Sequence, residues 1–185
     1  FDLENDAGLK SLFEIKSSEH FLWTKVKIDS LSKEEVKNIV GQQFDCFPVK
    51  LQNILQIPSS LFIWTQLNND ADAQFFTTPS QLMDKWWNKI LNHCVTNGLN
   101  SERVLNFKNR LVSQMDKTSV LSIPIHAFPD YTTEIEALIS NGLLIESGKK
   151  ISFTHQSFLD HFAISDMLSD VYNGKSILDV IGEPC

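Results

Sequence analysis

Between Tyr131 and Ser169 the hydrophobic period of the chain changes twice. In YTTEIEALISNG, Ile135, Leu138 and Ile139 recur at helical spacing, and Gly142 is a stop signal. LLIES, GKK and ISFT then read as two short strands turning at Gly148, a hairpin over Leu143–Thr154. From His155 to Ser169 the helical period returns, with Phe158 and Phe162 on one face and Phe153 just ahead of them. A helical pattern does not settle as a strand, nor the reverse, so this order restricts the fold more than any other feature.

Ahead of it lie a helix over about Glu102–Lys117, started by Ser101, and the two-proline linker VLSIPIHAFP. Val104, Leu105, Leu111, Val112 and Met115 are its apolar positions. Helix, helix, hairpin, helix is the order of a winged-helix domain. Upstream the chain reads as helices. Ser32 and Glu35 form a capping box for a helix to Val40, stopped by Gly41. A second helix fits Val49–Gln56 and ends at Pro58, because a residue before proline is biased out of helical geometry. Ser59–Leu67 restarts, NNDADAQFFTT is a polar break, and Pro79 opens a long helix stopped by Gly98. On it Leu82, Trp86, Lys89, Ile90 and His93 fall at helical spacing. Nearer the start, GLKSLF (Gly8–Phe13) suggests a short helix and FLWTKVKI (Phe21–Ile28) a strand. A lone strand needs neighbours, so its sheet is expected upstream of Phe1.

The chemistry-bearing candidates are few. A net charge of −7 over 185 residues disfavours a broad surface for nucleic acid or anionic membrane. The candidate recognition helix carries Asp130, Glu134 and Glu136 and no Lys or Arg, against what phosphate and guanine contacts require. No apolar run is long enough for a membrane span, and FDLENDAGLK does not read as a signal peptide. Cys46, Cys94 and Cys185 have neither disulfide nor zinc spacing, so they are expected to be buried free thiols in a reducing, cytoplasmic setting. NGKS (Asn173–Ser176) lacks the first glycine of a phosphate loop and reads as a turn. His155 and His161 are six apart and do not pair as metal ligands on a helix face; no metal site and no catalytic constellation is expected. That leaves His155. With Thr154 as N-cap, it falls in the first turn of the last helix, where free N–H groups and the helix dipole favour anions. The same position suits a histidine merely packed at a domain edge. Asp160 and His161 are expected at the surface.

ISFTHQSFLDHFAISDML resembles the end of the winged-helix domain of STAND ATPases, the signalling P-loop ATPases of NACHT and NB-ARC type, in a bacterial form. ALISNGLLIES resembles the helix and strand before it. KVKIDSLSKEEVKNIV is similar to the last core strand passing into the first lid helix, LQNILQIPSSLFIWTQL to the lid segment around a proline near adenine, and FDLENDAGLKSLF to the segment after the sensor-1 arginine.

The resemblance implies a mainly α fold in three parts. These are the C-terminal remnant of an α/β P-loop core (1–30), with one strand left over, a helical lid (31–98), and a winged-helix domain (99–185) with its small β-hairpin. It implies ATP or ADP with Mg²⁺ in the full-length protein, His155 on the β-phosphate of ADP and Pro58 beside the adenine. The partners implied are the upstream ATPase core, effector and sensor domains of the same polypeptide, and self-association on activation, in defence signalling. The lid departs from the family pattern, with Gln56-Ile57-Pro58 where NB-ARC members have Gly-Leu-Pro. Walker A, Walker B and the sensor-1 arginine do not occur in this chain, so no nucleotide is expected on it alone and no hydrolysis by it. The alternative is a winged-helix module for protein–protein or nucleic-acid contacts, working without nucleotide.

Overall fold

A computed structural model of the chain describes residues 30–67 and 76–176. The proposed helix at Gly8–Phe13 and strand at Phe21–Ile28 lie outside the described residues. The described residues from Leu31 onward belong to one compact unit.

The described residues are mostly helical, with one small antiparallel sheet. Helix α1 (Lys33–Val40) starts at the expected capping box: Ser32 Oγ accepts from the Glu35 amide at 3.2 Å, and the Glu35 carboxylate accepts from the Ser32 amide at 2.8 Å. A 3₁₀ turn (Gln42–Cys46) leads to α2 (Val49–Leu55). Pro58 is the first residue of α3 (Pro58–Gln66), where its missing N–H costs nothing, and Ile57 before it is extended. Helix α4 (Pro79–Thr96) has its own capping box from Thr78 and Gln81.

Helix α5 (Ser101–Thr118) is capped by Asn100, whose side-chain oxygen accepts from the amides of Glu102 and Arg103. Strand β1 (Ile123–Pro124), two 3₁₀ turns (Ile125–Ala127 and Pro129–Tyr131), α6 (Thr132–Ser140), β2 (Leu144–Ser147), β3 (Lys150–Phe153) and α7 (Gln156–Tyr172) complete the order. The turn between β2 and β3 places Gly148 and Lys149 at φ 57° and 63°, the left-handed pair that suits the twist of a tight hairpin.

Three expectations change here. The two-stranded hairpin is a three-stranded sheet of order β1-β3-β2, because Ile123 and Pro124 of the expected linker pair with Ile151 and Lys150. Pro124 has no N–H to give, which a two-residue edge strand tolerates. On α4 the buried face is Leu82, Met83, Trp86, Trp87, Ile90 and Cys94; Lys89 and His93 are exposed, and Lys89 Nζ reaches the Gln66 carbonyl at 2.6 Å. On α5 Leu105 is exposed, whereas Phe107 is fully buried and Lys108 nearly so.

One hydrophobic cluster runs through the described elements, from Val36 on α1 to Phe162 on α7. Aromatic rings form its middle. Trp86 lies between Phe62 of α3, at a centroid distance of 6.0 Å, and Phe158 of α7, at 4.7 Å. Trp87 meets Phe162 edge-on at 5.4 Å. Offset and edge-on geometries like these add about 0.5–1.5 kcal/mol per pair beyond area burial. Phe153, Phe158 and Phe162 are all buried, as their spacing predicts.

Candidate functional site

The N-terminal end of α7 is built by a short hand-over from sheet to helix. Strand β3 ends at Phe153, and the chain stays extended through His155 (φ −132°, ψ 138°) before turning into the helix at Gln156. His155 is therefore the N-cap, one residue later than the sequence suggests. Thr154 is occupied elsewhere: its hydroxyl donates to the Gly142 carbonyl at 2.6 Å and its amide to the Leu143 carbonyl at 3.0 Å. That pair ties the end of β3 to the start of β2, and it explains why Thr154 does not cap the helix.

The His155 side chain makes no capping hydrogen bond to the first turn of α7 among the described residues. The His155 ring makes aromatic contacts instead, 5.2 Å from Phe62 and 6.2 Å from Phe158. Next to it the Ser157 hydroxyl is buried without a hydrogen-bond partner among the described residues. The first turn thus combines a helix start at which the N-cap side chain makes no capping bond, an imidazole in tilted contact with two phenyl rings and a hydroxyl unmatched among the described residues. Such a set can donate to an anion.

Pro58, the second sequence candidate, is exposed at the start of α3. Phe62 lies one turn further along the same helix, at i+4, and is the ring that touches His155. The two candidates thus lie on elements brought together through Phe62. Sequence reading misses Phe62 in this role, although its spacing from Pro58 places it on the same helix face. It also misses Ser157.

His161 differs from expectation. Its side chain is 9% exposed rather than free at the surface, and Nε2 lies 2.9 Å from Asp84 of α4. Asp160, its neighbour, is exposed as expected. NGKS is the turn that ends α7: Gly174 adopts φ 93°, and Lys175 pairs with Asp170 at 2.8 Å. Cys94 is buried, and burial pushes its thiol pKa up; Cys46 is exposed, against the expectation of a buried thiol. Among the described residues no group of three His, Cys, Asp or Glu side chains could hold a metal ion, and no helix is long and apolar enough to cross a membrane.

The candidate recognition helix, α6, is less acidic at its surface than its sequence implies. Glu134 is buried and bound by Arg103 of α5, Nε to Oε1 at 2.6 Å, while Arg103 also donates to the Asp130 carbonyl. The hydrogen bond from Arg103 holds the Glu134 carboxyl below the usual carboxylate range. No protein-family model matches the chain, and neither does any curated protein or solved structure.

Proposed function

We propose that the chain is the lid and winged-helix portion of a STAND-class, NACHT-like P-loop ATPase, and that it couples ATP or ADP state to domain opening. In this reading residues 1–30 end the nucleotide-binding core, 31–98 form the helical lid and 99–185 the winged-helix domain. One observation carries it: His155 stands as the N-cap of α7 without making a side-chain capping bond among the described residues, and its ring contacts Phe62, one turn from Pro58.

The residues at this helix start fit the β-phosphate of a bound ADP. The imidazole offers a ring N–H, Ser157 offers an unmatched hydroxyl, and the first-turn amides and dipole favour negative charge. ADP supplies the anion; the chain's own contribution is to hold the donors still. Phe62 of α3 and Phe158 of α7 both contact the imidazole in tilted geometry and so restrict its position. A phosphate gripped by His155 would tie α7 to the lid and favour the closed state, with ATP favouring an open, self-associating one. Mg²⁺ and the phosphate cradle belong to the upstream core, and effector and sensor domains to the same polypeptide.

The test uses the full-length protein with its nucleotide core. His155→Ala is expected to weaken ADP retention about tenfold or more, the loss of one hydrogen bond to a charged group, and to raise basal signalling. Equal ADP content in purified wild-type and mutant protein would sink the assignment.

A further inference from the structure

Three long helices share the core, and they are held unequally. Helix α4, of 18 residues, buries six side chains, and α5, also of 18, buries six. Helix α7 has 17 residues and buries two, Phe158 and Phe162, both in its first half. From Ala163 to its end at Tyr172 no residue of α7 is buried. A helix with so little buried apolar surface opens at a lower free energy than the elements around it. Its start is fastened differently. Thr154 donates from its hydroxyl and its amide to the Gly142 and Leu143 carbonyls, which pins the chain one residue ahead of the N-cap His155. Helix α7 is thus an arm fixed firmly at one end.

Along the seam with α4, Trp86 packs on Phe158 and Trp87 on Phe162. Apolar burial is non-directional and tolerates small slides of one helix on the other. His161, one residue before Phe162, adds a directional bond: Nε2 lies 2.9 Å from Asp84 Oδ1 of α4. The imidazole is 9% exposed and the carboxylate 61%. An imidazole N–H that loses this acceptor while still covered is left buried and unmatched, whereas complete separation hydrates it. Partial slides are therefore disfavoured, and the contact is either made or fully broken. Toward α5 the hold is looser, with Lys108 Nζ 3.8 Å from the half-exposed carboxylate of Asp166.

We propose that α7 is a hinged arm, pivoting at Thr154 and latched on α4 by the His161–Asp84 bond, and that it opens as a unit while the rest of the core stays folded. The hinge and the latch do not depend on nucleotide. Only their link to the anion site rests on the function proposed above: opening would carry His155 away from Phe62 and disperse the donors, so the latch would regulate that site. Rare openings of this kind leave a single equilibrium unfolding transition.

The test is amide hydrogen exchange of the 185-residue chain in low urea, without nucleotide, so that its failure is distinct from a failure of the ADP assignment. In wild type the amides from Asp160 to Leu168 should be protected at least about tenfold less than those near Ile90 of α4 and Leu111 of α5, with a shallower urea dependence, because less surface opens. Asp84→Ala should speed exchange along α7 about tenfold, the loss of one hydrogen bond to a charged group. Asp84→Asn keeps an acceptor oxygen and should have a smaller effect. His161→Phe should match Asp84→Ala, and the double variant should open no faster than either single one. Asp160→Ala, at the exposed neighbouring position, should change nothing. Asp84 is exposed, so its variants should fold, as circular dichroism checks. Equal protection and urea dependence in α4, α5 and α7 would overturn the arm. An Asp84→Ala effect no larger than that of Asp160→Ala, or additive effects of Asp84→Ala and His161→Phe, would overturn the latch.

Discussion

Glu134 lies on a helix whose neighbouring acids, Asp130 and Glu136, face water, yet its side chain is only 5% exposed. Its charge is stable there because Arg103 supplies two N–H groups, at 2.6 and 3.5 Å. Glu134→Gln should therefore cost about 1–3 kcal/mol at neutral pH, the range for a lost charge-assisted bond at a buried site. The folded-state pKa lies below the ordinary value of 4.5, so as pH falls the unfolded chain binds the proton first. The contribution is complete above about 4.5 and lost as pH falls through the depressed folded value. Urea midpoints of wild type and Glu134→Gln should thus converge in acid; a gap independent of pH would contradict this account. Such pairings join residues far apart in sequence, which is why Glu134 reads as a surface acid until α5 is in place. The same limit explains His161, whose partner Asp84 lies 77 positions away. Lys108 is illegible in the sequence for another reason: its stem packs along the core while its ammonium finds Asp166 and the Phe162 face.

Helix ends are the most legible elements, because caps are local chemistry. Ser32 with Glu35 can be read directly, and Pro79 marks the first turn of α4. Thr78 and Gln81 complete that second capping box, with Gln81 N–H donating to Thr78 Oγ at 3.3 Å. Thr78→Ala should cost about 1 kcal/mol in thermal or urea unfolding, with little cost for Thr78→Ser, which keeps the oxygen. An equal loss in both variants would mean that the methyl group, not the cap, matters. The start of α7 shows where local rules stop. A threonine ahead of a helix is a good cap in isolation, but Gly142 offers its hydroxyl a carbonyl across the hairpin and wins. Strand β1 is hidden for a similar reason: two residues, one of them proline, carry no alternation, and only pairing with β3 makes them a strand.

For the molecule between Leu31 and Ser176, what matters most is that the helices before Gly98 and the elements after it share one core. The sequence suggests two subdomains side by side, and the helical periods say nothing about how closely such groups pack. Trp86 takes part on both sides, against Phe62 and Phe158, so Trp86→Ala should cost about 3–5 kcal/mol and loosen the whole unit. Wild type should unfold in one transition, with far-ultraviolet dichroism and tryptophan emission coinciding; two separated transitions would show that the groups are energetically independent. The ring stack also makes the protein its own optical gauge. Trp86 and Trp87 are 3% and 9% exposed, pressed against Phe158 and Phe162 of α7. Any event that draws α7 away from α4 would let water reach two indoles at once, so a red shift in emission would time that separation without an attached label.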